Sequence, residues 1–165
     1  MKKKTIILII SLITLIALAG FVLGSGLIVK TANKDFQKDP EFYKELGNYF
    51  VKSGELDKAA VAYESCLLLG DDKDVRNNLA IIYHSQGKYS EAISQLRILI
   101  QSDSNNPSYH YDLAINLVDQ FRNIEDKNIQ ELEEALSDYE KADALQPGYM
   151  HARENIDVLK RILSE

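Results

Sequence analysis

The chain has 165 residues, a formal net charge of -6, 45% hydrophobic and 27% charged residues. That suits one ordinary domain with an appendage, and eight glycines and three prolines are too few for a collagen-like or disordered chain. The single cysteine excludes an internal disulfide framework and a four-cysteine metal site, and the acidic balance argues against nucleic acid as the main partner.

Charge divides the chain near residue 30. Residues 1–30 hold Lys2, Lys3, Lys4 and Lys30 and no acid, leaving 15 basic and 25 acidic residues beyond. From Thr5 to Val29 no residue is charged, and sixteen of those twenty-five positions are Ile, Leu, Val or Phe. A hydrocarbon core about 30 Å thick needs roughly 20 apolar residues in a helix. Sixteen such residues favour insertion by roughly 5–10 kcal/mol. The stretch predicts a transmembrane helix that meets the lipid bilayer through residues 5–29. The clustered lysines before it favour a cytoplasmic N-terminus and an extracytoplasmic C-terminal domain. Gly20 and Gly24 have the small-xxx-small spacing of a helix contact, a route to self-association. The competing reading is a signal peptide cleaved after Ala17-Leu18-Ala19, which would release a secreted binder. Residues 31–39 form a short polar linker.

Beyond the linker the sequence repeats. Leu46, Gly47, Phe50, Gly54, Ala59 and Tyr63 align with Leu79, Ala80, Tyr83, Gly87, Ala92 and Leu96, at a constant offset of 33. A third copy begins at Leu113-Ala114 and resumes at Ala135, Tyr139 and Ala142, after a nine-residue insertion around residues 121–130. A large residue, a small one beside it and an aromatic three further on make a helical stripe with a notch. Ala59, Ala92 and Ala135 supply the matching notch on a second helix. Gly54 and Gly87 suit the turn between helices, where a left-handed residue is common. Asp39-Pro40 and Asn106-Pro107 read as an N-cap followed by Pro at the first helical position, and Pro147 reads as opening a last helix the same way.

This pattern resembles the tetratricopeptide repeat, a helix–turn–helix unit of about 34 residues. The resemblance spans residues 40–146 as three copies, 40–72, 73–106 and 107–146, with Arg76 departing from the aromatic slot that Tyr43 keeps. It implies an all-α, right-handed superhelical solenoid. Residues 147–165 are expected to form a capping helix over the last open face, with Ile156, Leu159, Ile162 and Leu163 as its apolar stripe.

Catalytic chemistry is not expected. His84, His110 and His151 have no metal-ligand spacing, and no phosphate loop or nucleophile elbow occurs. Cys66 falls at a small-residue slot and reads as core. The acid pairs Asp71-Asp72 and Glu133-Glu134 read as solvated surface or turn. No cofactor and no metal are expected.

The resemblance instead implies a concave groove for a protein or peptide partner. Lys44, Asn48, Val51 and Lys52 would line it from the first copy. Asn77, Asn78, Ile81, His84 and Ser85 would follow from the second, and Tyr111, Asp112, Ile115 and Asp119 from the third. Some relatives grip the carboxylate end of a chaperone tail with Lys and Asn from the first repeat, Asn from the second and basic residues from the third. Lys44, Asn48 and Asn78 match that set, but Ser108 and Asp112 stand where the basic pair belongs, and an acid repels a carboxylate. The expected function is a membrane-anchored adaptor that binds by contact, with a structural subunit of a membrane or envelope assembly as the alternative.

Overall fold

The computed structural model describes residues 39–125 and 127–164. The expected span over residues 5–29, its Gly20–Gly24 spacing, the alternative cleavage site and all of the linker but Asp39 lie outside these residues. None of the described helices is long and apolar enough to cross a membrane. Seven helices make up the described part: α1 (Pro40–Lys52), α2 (Leu56–Leu69), α3 (Lys73–Ser85), α4 (Tyr89–Ser102), α5 (Pro107–Asn123), α6 (Ile129–Leu145) and α7 (Ala152–Leu163). No strand occurs among the described residues.

Each helix packs on its successor, from α1 against α2 through to α6 against α7. The pairs α1/α2, α3/α4 and α5/α6 are the three repeats. Short connections turn the first two pairs back on themselves, and Gly54 and Gly87 sit in them with φ of 74° and 71°. Any side chain there would be strained, so the glycines are required by the turn.

The small residues do what their spacing implies. Ala59, Ala92 and Ala135 are fully buried where paired helices meet. Gly47 lies under the ring of Tyr63: a Cβ there would fall 3.0 Å from the ring Cζ and closer still to Cε1 and Cδ1. Cys66 is buried in the same cluster as Tyr63, Leu79 and Tyr83, and burial pushes its thiol pKa up, away from the reactive thiolate. A second cluster joins Leu96 and Leu99 to Leu113, Leu117, Leu132, Tyr139, Ile156 and Leu159, so α7 shares the core of the third repeat.

The insertion is largely helical. Set against the earlier repeats, it lengthens α5 by four residues and α6 by three, and adds two to their connection. Asn106 caps α5 by accepting from the Ser108 N–H, with Pro107 in the first turn, as its spacing implies.

Two expectations are corrected. Pro147 does not open the last helix; α7 begins at Ala152. The Asp143 carboxylate takes the Gly148 N–H at 2.7 Å, and Gly148 and Met150 adopt φ of 79° and 47°, which folds residues 147–151 into a turn. Asp71 and Asp72 are more than solvated turn. Asp72 caps α3 by accepting from the N–H groups of Asp74 and Val75, and Asp71 accepts from Arg76. The Arg76 head also donates to Gln95 at 2.6 Å, so it crosses its repeat from the slot that Tyr43 fills in the first copy.

Candidate functional site

The period of the helices sets which side chains share a face, and the repeats bring those of α3 and α5 together. Asn77, Ala80, Ile81 and His84 on α3, Leu96 on α4, and Asp112, Ile115 and Asn116 on α5 line a hollow of about 120 Å³. Its wall is apolar and open: Ile81 is 57% exposed although it lies at the centre of a helix. His84 Nε2 lies 3.0 Å from Asp119 Oδ2, and Arg122 approaches the other Asp119 oxygen at 3.6 Å. A second hollow of about 250 Å³ continues from Ile115 and Asp119 to Asn155 and Val158 of α7. Five of the expected groove residues, Asn77, Ile81, His84, Asp112 and Ile115, therefore meet in one place.

The other expected residues divide differently. Lys44 Nζ donates to Asp72 Oδ2 at 2.7 Å and lies 3.9 Å from Asp74. Its hydrogen bond to Asp72 raises the Lys44 pKa, and the same bond holds the Asp72 carboxyl below the usual carboxylate value. Asn48 Oδ1 accepts from the Tyr63 hydroxyl at 2.7 Å, and Asn78 Nδ2 donates to that hydroxyl at 3.4 Å. The two asparagines thus fasten the first repeat to the second through one tyrosine. Val51 and Lys52 are exposed near the end of α1. The Ser85 hydroxyl donates to its own helix, at the Ile82 carbonyl.

Tyr111 is the clear correction. It is only 6% exposed, because its ring packs edge-on against Tyr139 and Tyr149, with centroids 5.4 and 5.6 Å away. The segment leading into α7 covers the position that stays open at Asn77 in the preceding repeat.

Asp112 is the acid at the place of a basic residue. It accepts from Ser108 Oγ at 3.1 Å, and no ion pair closes on it among the described residues. Loss of water pushes its pKa up, against the smaller effects of Ser108 and His84. Sequence reasoning missed Asn116, whose Nδ2 donates to the Asp112 backbone carbonyl at 2.8 Å. It also missed His110, which is buried with Nδ1 2.6 Å from Asp138 and Nε2 3.1 Å from the Ser104 carbonyl. Among the described residues no group of three His, Cys, Asp or Glu could hold a metal.

Comparison with known proteins agrees with this architecture. Residues 74–118, which cover α3, α4 and the first part of α5, match the family model described as TPR repeat. The chain has the tetratricopeptide-repeat fold. The first TPR of Spaghetti (RPAP3), bound to the HSP90 peptide SRMEEVD, is 23% identical with a TM-score of 0.62, covering 78% of this chain and 95% of that one. MamA superposes with a TM-score of 0.67 at 18% identity, covering 88% and 83%. The Sgt2 TPR domain from Aspergillus fumigatus gives 0.60 at 19% identity, covering 76% and 80%. No curated protein matches the sequence.

Proposed function

We propose that this protein is a membrane-anchored adaptor that holds an extended segment of a partner protein in the groove between α3 and α5, without catalysis. The observation that carries it is the open apolar wall at Ile81 and Ile115, bordered by the side chains of Asn77, His84, Asp112 and Asn116. A peptide needs such a surface: apolar contact for affinity, amides and acids for orientation. Tetratricopeptide-fold neighbours support the choice of a short peptide, since the RPAP3 domain carries one.

The chemistry favours a different peptide from SRMEEVD, which ends in acids. Here Lys44 is already neutralised by Asp72, Asn48 and Asn78 share the Tyr63 hydroxyl, and Asp112 puts negative charge where a terminal carboxylate would lie. The uncharged run over residues 5–29 supplies the anchor. Holding groove and partner at one bilayer raises their effective concentration, so micromolar affinity (about 8 kcal/mol) is sufficient.

The test is selection from a bead-displayed random hexapeptide library by the full chain in dodecyl maltoside. The wild type should enrich a defined sequence, and Ile81→Arg should lose it at least ten-fold. Equal enrichment by both would remove the groove as the binding site. For the anchor, the full chain should stay in the membrane pellet after alkaline carbonate washing; release with an intact first residue would refute it.

A further inference from the structure

Asn116, one of the residues lining the hollow between α3 and α5, carries an unmet acceptor that is itself buried. Asn116 is only 4% exposed, and its Oδ1 has no hydrogen-bond partner among the described residues. Exchanging the amide atoms does not relieve this. The partner of Nδ2 is the Asp112 backbone carbonyl, which only accepts, so the oxygen must be the free atom. Leaving such an acceptor buried and unpaired is unfavourable, because its bonds to water are lost without replacement. Beside it lies the half-buried Asp112 carboxylate, balanced by one hydroxyl and no ion pair. An aliphatic wall of Ile81, Ile115 and Ala80 stands against these acceptors. Space of about 120 Å³ is well above the roughly 10–15 Å³ that one water requires.

Resting on the groove reading above, we propose that this hollow receives a lysine side chain of the bound segment, its methylene stem against Ile81 and Ile115 and its ammonium pairing with the half-buried Asp112 and, as the covered amide opens toward it, donating to Asn116 Oδ1. Lysine fits better than arginine. A compact ammonium on a flexible stem can turn its donors toward two acceptors in a narrow site, whereas a guanidinium presents a rigid planar fork. An apolar or ionised acidic side chain brings no donor to the Asn116 oxygen, and a neutral donor such as Ser or Gln brings no positive charge to Asp112. Asp119 adds negative potential at the rim, although His84 and Arg122 already share its oxygens.

The test titrates the ¹⁵N-labelled full chain in dodecyl maltoside with Nα-acetyl-lysine amide and follows the Asn77 side-chain amide, which lines the same hollow and is present in every variant. A saturable shift is expected, weakened at least ten-fold when the probe carries an Nε-acetyl group, and at least five-fold in Asp112→Asn and in Asn116→Leu. No saturable shift, or equal binding of the acetylated probe, overturns the proposal whether or not the variants fold. Equal or tighter binding of Nα-acetyl-arginine amide overturns the choice of lysine. The hexapeptide selection separates this from the wider reading. Enriched peptides that lack a basic residue but depend on Ile81 would sink the lysine site and leave the groove standing.

Discussion

Gly47 and Tyr63 give the sharpest test of how these repeats pack. In the first repeat the Tyr63 ring lies directly on Gly47, and the ring is 1% exposed with its hydroxyl held by Asn48 and Asn78. Gly47→Ala therefore drives a methyl group into a ring that cannot retreat without giving up those bonds. Overpacking of this kind costs about 1–3 kcal/mol. Alanine returns up to about 1 kcal/mol through better helix propensity. The net expectation is a loss of about 1–2 kcal/mol, or roughly 4–10 °C in melting temperature for a domain of this size. The second repeat already uses the compatible pair, Ala80 with Leu96. In a Tyr63→Leu background, Gly47→Ala should consequently be neutral or stabilising. In the third repeat Ala114 coexists with Tyr139, whose ring packs against Tyr111 instead. Thermal unfolding of the four proteins of the cycle, followed by circular dichroism at 222 nm, measures the coupling. If Gly47→Ala has the same effect with Tyr63 and with Leu at that position, the close approach does not govern this repeat.

Further expectations follow from buried polar groups. Asp112→Asn should raise the melting temperature at neutral pH, because burial raises the Asp112 pKa and so disfavours its ionised form. That penalty develops as pH rises from the ordinary 3.8 through the raised folded value, so the advantage of the variant should vanish in acid; an advantage that grows below pH 3.8 contradicts this. Asp72 behaves oppositely. Its folded pKa is lowered by Lys44, so its contribution is present above 3.8 and lost as pH falls through the lowered value; Asp72→Asn should flatten the acid limb of the stability curve. His110→Leu strands the Asp138 carboxylate and the Ser104 carbonyl and should cost about 2–4 kcal/mol in urea unfolding. A change below 0.5 kcal/mol would show that solvent replaces the imidazole freely.

Much of the scaffold was legible in the residues alone, because the 33-residue offset repeats every structural demand at once. Leu–small–aromatic spacing marks the buried stripe, alanines mark the facing notch, and Gly54 and Gly87 occupy turns that need a left-handed backbone. The family resemblance, rather than the period itself, pointed to Asn77, Ile81, His84, Asp112 and Ile115 as groove residues, and these five line one hollow. Tertiary structure decided the rest. Tyr111 has the same register as Asn77, yet Tyr149 covers it, and nothing in a period reports what a following segment will cover. Lys44 looked free until the cap of the next repeat placed Asp72 at 2.7 Å, and Pro147 was diverted into a turn by Asp143. Asn116 drew no notice in sequence, because an unmet acceptor is defined by its neighbours in space. Helical period depends on bonds and contacts a few residues apart and is written along the chain. Burial, pairing and charge at the site depend on side chains about thirty residues apart, and only the stacking of one repeat on the next decides those.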